Sequence, residues 1–555
     1  MPPPRVYPQD VSWSDPFDVM PLWHVLDRSV VRFGTRPCLD FLGKRYSYAD
    51  VGRLVDRAAA GLQAMGVRKG DRLGLFLPNC PYTVIMMFAA LKAGAIVVNY
   101  NPLYVDPEIK HQIDDSGTKY MVTLDLVATY PKVAAMLGRT SLEKIVVCPM
   151  RSILPFPLSL AYPFARRRET ARWTEDKNHV AFRRLLSHGA KPLFIECEPQ
   201  RDVALLQYTG GTTGVPKGAM LSHANIVVNC QQCRRWDPKR RPGQERVLAV
   251  LPFFHVFGMT VIEMLSLFDG DEIILVPRFE LEQLLDIIQR KRPTSFPGVP
   301  TLYSAISNFK DIGKYDLSSI RTCISGGAPL PVEVKSAFER LTGCALVEGY
   351  GLTEASPVVT NNPLYGVNKP GSIGLAMPGT TVEIVALDDP RKVLPQGERG
   401  EVLVTGPQVM LGYWNRPDDT AKVMVDGKLR TGDVGYIDED GYVFLVDRIK
   451  DIIIAGGFKI YPRNVEEAIY QHPDVAECIV AGVPDSYRGQ TVKAFVVLRE
   501  ESAVTEAELL AFLEDRLSKI EMPRQIEFRA SLPKTPIGKL SKKMLLEEEA
   551  AKRPA

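Results

Sequence analysis

The chain lacks a charge excess. It holds 68 Lys and Arg against 65 Asp and Glu, a formal net charge of +3. So close a balance excludes a whole-protein nucleic-acid field, and nucleic acid is not expected as a partner. It also lacks a cysteine framework. Nine cysteines, an odd number, lie scattered from Cys38 to Cys478, a pattern of the reducing cytosol rather than of a disulfide scaffold. The single CxxC, Cys230 and Cys233, has no second ligand pair nearby and reads as chance rather than as a zinc site. There is little sign of a membrane span or leader. Met1-Pro-Pro-Pro-Arg5 runs into polar residues without the apolar core of a signal peptide, so no export signal is expected. The most apolar long window, 247–268, carries Pro252, His255 and Glu263, and reads as a buried strand followed by a core helix. Short repeats and low-complexity tracts are missing.

What is present is ordinary for a globular protein: 45 % apolar and 24 % charged residues, with 42 Gly and 43 Pro for many tight loops. At about 100–200 residues per domain, 555 residues amount to roughly three to five domains' worth of mass. The first half alternates strand-like stretches (71–77, 95–99, 119–124, 144–148) with helix-like ones such as 82–93, which predicts parallel α/β sheets. Strand-like 402–404 and 442–446, with glycine turns expected at Gly400, Gly406 and Gly441, predict a β-rich subdomain. Beyond Arg448 the pattern becomes short α+β units: helix 465–470, strands 477–483 and 493–498, helix 506–517. The expected organisation is an α/β body over 1–447 with two α/β sheets and a β-rich subdomain, then a small α+β domain over 448–555. The charged stretch 447–451 is the linker, and the Lys- and Glu-rich tail after Gly538 is expected to be a mobile, solvated end. Residues 153–168, apolar and aromatic and closed by Arg166-Arg-Arg168, read either as an ordinary surface loop or as a contact with membrane lipid.

The strongest local signal is Tyr208-Thr-Gly-Gly-Thr-Thr-Gly-Val-Pro-Lys-Gly218. Glycines let backbone N–H groups crowd a polyphosphate, hydroxyls add donors, and Lys217 adds charge. The apolar run 203–206 predicts a strand that delivers the loop. In the common nucleoside-triphosphatase loop a Ser or Thr follows the lysine and binds Mg²⁺; here Gly218 does. The metal must therefore be held elsewhere.

This loop resembles that of the adenylate-forming enzymes: acyl-CoA synthetases, luciferases and peptide-synthetase adenylation domains. Further motifs similar to theirs follow in order: Ser325-Gly-Gly-Ala-Pro329, Glu348-Gly-Tyr-Gly-Leu-Thr-Glu354, Thr431-Gly-Asp433, Asp447-Arg-Ile-Lys-Asp451 and Pro536-Ile-Gly-Lys539. They span about 40–545. The segments Gly406-Pro-Gln-Val-Met-Leu-Gly-Tyr-Trp414 and Tyr461-Pro-Arg-Asn-Val-Glu-Glu467 are most similar to bacterial long-chain fatty acyl-CoA synthetases.

The resemblance implies ATP-dependent activation of a fatty acid to acyl-AMP, then transfer to CoA, with Mg²⁺ on the phosphates. It implies that Thr209, Gly210, Gly211, Thr212, Thr213, Gly214 and Lys217 meet the phosphates. Glu354 and Thr209 would hold the metal, and Thr353 the α-phosphate. Gly326, Gly327 and Ala328, with Glu348, Gly349, Tyr350 and Gly351, would form the adenine pocket. Asp433 would take the ribose hydroxyls with help from Arg448. Lys539 would stabilise the charged transition state. Lys450 matches the hinge about which the C-terminal domain turns, bringing Gly456, Gly457 and Lys459 to CoA. His255, Phe257, Gly258 and Met259 match the acyl-channel motif, with His255 positioning the carboxylate; where some long-chain members carry a gating Trp, this chain has Met259. Alternatives stay open: a ligase for an aryl or dicarboxylic acid, for which basic residues in the acyl channel would speak, or an acyl-AMP ligase loading a carrier protein. A homodimer, and a cytoplasmic place on the inner face of the membrane, complete the expectations.

Overall fold

In the computed structural model, residues 6–188, 191–209, 216–485, 487–499, 502–535 and 538–552 are described. Apolar β-branched runs form the middle of a seven-stranded sheet. Its spatial order is His179–Ala181, Lys144–Cys148, Thr118–Leu124, Arg72–Phe76, Ile96–Asn99, Val203–Thr209, Lys217–Ser222. Every pair is parallel except the last, which is antiparallel. Strands buried on both faces need continuous apolar sequence. The covering helix Pro81–Lys92 is buried from Pro81 to Leu91, which is why it is apolar all round rather than striped. Its last residue, Lys92, reaches Asp27 and Asp56 at 2.6 Å each.

A second sheet runs Arg246–Ala249, Glu272–Leu275, Pro37–Phe41, Lys44–Ser47. Single bridges through Ser295 connect it to a third, Thr322–Ser325, Ala345–Gly351, Val358–Asn361, Leu375–Ala376. The window 247–268 is a strand, then the π-helix Gly258–Met264, then a short α-helix, Leu265–Asp269. The expected β-rich subdomain is a five-stranded antiparallel sheet of Thr381–Val385, Gly400–Thr405, Lys428–Ile437, Met424–Val425 and Val443–Arg448. Gly400 is not in a turn, as expected, but opens its strand; a Cβ there would collide with the Val385 carbonyl of the neighbouring strand.

After Arg448 comes a single 3₁₀ turn, Ile449–Asp451, and then a separate five-stranded sheet built on the long hairpin Val475–Asp485 with Gly489–Leu498. It has its own apolar core, including Val465, Ile469, Val480, Val496 and Leu513. The expectation of a solvated tail is corrected here. Lys542–Ala551 is a helix capped by Ser541, and its Leu545 is fully buried against Ile479 and Phe495. Lys493 joins it to the sheet through Glu549 at 2.8 Å and Glu527 at 2.7 Å. One buried leucine and these ion pairs anchor a stretch whose composition reads as solvated. Among the described residues no helix is long and apolar enough to cross a membrane.

Candidate active site

The motifs converge on one cavity of about 720 Å³ where the sheets and the C-terminal unit meet. Thr209 and Lys217 face each other as paired residues of an antiparallel hairpin. The tip of that hairpin, with Gly210, Gly211, Thr212, Thr213 and Gly214, lies outside the described residues. Beside it runs the 406–414 segment, held by the Trp414 amide donating to the Gly218 carbonyl at 2.8 Å and by a bridge between Ala219 and Tyr413. This edge pairing brings Tyr413 to the centre. Its hydroxyl donates to Glu354 Oε1 at 2.6 Å, and Lys217 Nζ lies 5.3 Å above its ring. Lys217 also pairs with Asp419 at 3.1 Å.

Across the cavity Asp433 is buried at a register position directly opposite Arg448, whose Nε is 3.3 Å from Oδ1. The Tyr350 hydroxyl donates to the other carboxylate oxygen. Burial pushes the Asp433 carboxyl up; Arg448 and the Tyr350 hydrogen bond oppose this and favour the anion. An acceptor fixed in this way suits a pair of hydroxyls.

Gly326 and Gly327 follow the strand Thr322–Ser325. A Cβ on Gly326 would stand 3.1 Å from the Phe257 ring, and one on Gly327, whose φ is +81°, would collide with Lys539 Cε. Only glycine lets that lysine pass. Lys539 is presented by a tight loop, its amide donating to Thr535 Oγ1 at 3.1 Å. Thr301 Oγ1 docks the loop on the body by donating to the Gly538 carbonyl at 2.8 Å. Burial pushes the Lys539 ammonium down to about 8, with Arg448 adding repulsion. His255, on the same wall, is pushed down to about 3 by burial and then by the Lys539 charge, so its ring is neutral at pH 7. Its Nδ1 accepts from the Phe257 amide at 3.3 Å.

The cavity thus gathers Thr209, Lys217, His255, Phe257, Gly326, Gly327, Gly349, Tyr350, Gly351, Thr353, Glu354, Asp433, Arg448, Lys450 and Lys539 from distant parts of the chain. Other expected residues do not line it. Met259 is fully buried, and the Asn99 amide lies 3.6 Å from its sulfur. Gly258 packs on the Pro252 carbonyl, leaving no room for a Cβ. Neither is among the residues that line this cavity. Ala328 lies outside the lining, and Glu348 is buried away from it, its carboxyl pushed up to about 7 by burial against the pull of Arg463. Gly456 and Gly457 form an exposed turn of left-handed residues, and Lys459 is exposed beside it. Sequence reasoning missed Tyr413, Asp419 and Asn361. Tyr413 stood within a quoted motif. Asp419 and Asn361 gave no signal, yet the Asn361 Oδ1 oxygen is buried at the cavity wall without a hydrogen-bond donor among the described residues.

Glu354 keeps one carboxylate oxygen clear of Tyr413, and Thr209 adds a hydroxyl. Among the described residues no group of three His, Cys, Asp or Glu side chains could hold a metal alone. A hard oxygen pair without further ligands fits Mg²⁺, which keeps waters and takes phosphate oxygens.

The AMP-binding enzyme family matches residues 26–414, and its AMP-binding enzyme C-terminal domain matches 464–539. The long-chain-fatty-acid–CoA ligase of Bacillus subtilis is 45 % identical over 546 residues, covering 98 % of this chain and 97 % of the relative. That of Salmonella typhimurium is 37 % identical, with 98 % of each covered. Among solved structures, ATP-bound MatB from Rhodopseudomonas palustris superposes with a TM-score of 0.83 at 30 % identity, covering 96 % of this chain and 99 % of that one. The anthranilate CoA ligase AuaEII with anthranoyl-AMP gives 0.81 at 27 % identity, covering 96 % and 98 %. Matched in both its parts and along nearly its whole length, the chain belongs to the AMP-binding, adenylate-forming enzyme family.

Proposed function

We propose that this chain is an ATP-dependent ligase joining medium- to long-chain fatty acids to CoA. The observation that carries the reading is Lys539, a buried ammonium delivered by the C-terminal unit to the wall that also holds His255 and Gly327. In the first half-reaction a fatty carboxylate oxygen attacks the α-phosphorus of ATP. The bond to pyrophosphate breaks, leaving acyl-AMP. In the second the CoA thiolate attacks the acyl carbon, and the C–O bond to AMP breaks. The first step brings anions together, so Lys539 and Lys217 shield them, Lys539 at the reacting oxygens and Lys217 on the departing phosphates. Neutral His255 adds no charge to the site and takes no proton from the acid; it positions the carboxylate. Asp433 with Arg448 holds the ribose, Tyr350 and Gly326 flank the base, and Thr353 meets the α-phosphate. Glu354 and Thr209 would hold Mg²⁺, which supplies charge neutralisation on the phosphates.

Residues 448–555 form the mobile unit, with Lys450 as its hinge. In the present arrangement Lys539 is engaged while Gly456, Gly457 and Lys459 face solvent. Turning about Lys450 exchanges them for CoA binding, with the glycine turn passing the pantetheine and Lys459 a phosphate.

The protein acts in the cytoplasm, touching the inner membrane face through 153–168. The helix Leu158–Ala165 buries no residue, Phe156 and Phe164 are 79 % and 87 % exposed, and Arg166, Arg167 and Arg168 follow in solvent. Aromatic side chains beside a cationic run suit an anionic headgroup layer.

Pyrophosphate release measured with and without CoA, across acids graded from octanoic to octadecanoic and including aryl and dicarboxylic acids, tests the reading. Turnover confined to aliphatic acids and dependent on CoA supports it. Failure with every aliphatic acid sinks it, and release that ignores CoA points to carrier loading.

A further inference from the structure

The acyl side of the cavity does not end in hydrocarbon. Cys233, Trp236, Val261 and Leu265 give apolar walls. The same lining carries the polar side chains of Asp237, Arg240, Ser295 and Thr322. Thr322 stands four residues before Gly326 along one extended stretch, about 13 Å from the glycine that flanks the Phe257 ring. Asp237 is 7 % exposed and Ser295 6 %. The Asp237 Oδ1 oxygen accepts from the Tyr365 hydroxyl at 3.2 Å. Its Oδ2, like the hydroxyls of Ser295 and Thr322, has no hydrogen-bond partner among the described residues. A terminal methyl placed there would strand a desolvated carboxylate without a donor, which is unfavourable.

Arg240 would invite a second carboxylate, were it free. It is not. It pairs with Asp269 at 2.9 Å and Asp271 at 2.7 Å, both buried. Arg234 is taken by Asp269 and Arg321 by Glu245. Each arginine of the cluster is thus already held by a carboxylate, and none of the three is left to receive a second carboxylate. A neutral donor is what it lacks.

We propose that this far end is a hydroxyl-binding subsite, and that the ligase selects fatty acids bearing a hydroxyl at or next to the ω-carbon, which donates to Asp237 with Ser295 and Thr322 beside it. The inference rests on the fatty acid–CoA ligase reading above. A site built to bond a hydroxyl discriminates strongly against the analogue lacking it.

The test compares kcat/KM for matched pairs of ω-hydroxy and unsubstituted acids, from octanoic to hexadecanoic, with the α,ω-diacids as a third arm. At the chain length that reaches Asp237 the ω-hydroxy acid should lead its unsubstituted partner at least tenfold, and the diacid should trail both. In Asp237→Leu the lead should vanish, whereas Asp237→Asn, which keeps an acceptor, should retain most of it. The ratio is read within each variant, so altered folding yield cancels; should Asp237→Leu not fold, Thr322→Val must lower the ratio instead. An unsubstituted acid that matches or leads at every length overturns the subsite while leaving the fatty-acid reading intact, as does a preferred diacid. Failure of all three classes overturns the reading and the subsite with it.

Discussion

On the proposed reading, Lys539 carries the charge stabilisation of the first half-reaction. Replacing it with alanine should slow acyl-adenylate formation by about 10²–10³-fold, as for other preorganised charge stabilisers. Thioester formation from supplied acyl-AMP should persist; equal loss in both half-reactions would contradict the two-arrangement scheme. The lysine is also pushed down to about 8, and that gives a pH dependence with a definite sign. Below about pH 8 the free enzyme carries the cation, and above it the cation is lost. The kcat/KM for adenylation should therefore fall as pH rises through about 8. Stability runs the other way. The unfolded chain binds this proton up to about pH 10.4, so the burial penalty is full below about 8 and is relieved between about 8 and 10.4, where stability rises with pH. Lys539→Met should flatten both profiles. The Tyr413 hydroxyl touches Glu354, the proposed metal ligand: Tyr413→Phe, which keeps the ring, should raise the Mg²⁺ concentration for half-maximal turnover by about tenfold, with a smaller effect at saturating metal.

At the scale of elements, the site depends on close passages. The turn after Thr322–Ser325 admits Lys539 only because Gly327 has no side chain. Gly327→Ala should reduce adenylation by exclusion of the lysine while leaving thioester formation from acyl-AMP, the signature of Lys539→Ala without loss of charge. The terminal helix Lys542–Ala551 is held by Leu545. Leu545→Ala should cost about 2–5 kcal/mol in the C-terminal unit, visible in urea denaturation as an earlier transition of that unit with the body unchanged.

For the whole molecule, the proposed scheme has two half-reactions share one cavity because one small unit serves both. Lys450 begins neither sheet; it sits in the single turn between them. Lys450→Pro fixes φ at that turn and removes a donor. It should leave adenylation near the parent rate and depress CoA-dependent release strongly, a split that pyrophosphate and thioester assays run in parallel would reveal. Loss of both rates together would move the hinge elsewhere.

Much of this was legible in residue order. Strands such as 144–148 and helices such as 82–93 are written in runs whose period and length have only one stable burial, and Lys144–Cys148 and Pro81–Lys92 follow them closely. The strand that leads to Thr209 was legible in the apolar run 203–206, and the association of Asp433 with Arg448 was implied by the family resemblance; the antiparallel pairing of Thr209 with Lys217 came from the structure. Direction and occupancy were not legible. Met259 belongs to the channel motif by order, yet the π-helix turns it toward Asn99. The tail after Gly538 is solvated by composition, yet one leucine finds a pocket. Asp237, Arg240, Asp269 and Asp271 are common surface types, and no spacing ties them to an acyl chain. The sequence by itself determined the fold class, the strand that leads to Thr209 and the near neutrality of the chain, because these rest on local periodicity and on residue chemistry. Only the tertiary structure decided which side chains share a cavity and whether a charge is already paired, because burial and partnership arise between residues far apart in the chain, where desolvation and geometry outweigh local preference.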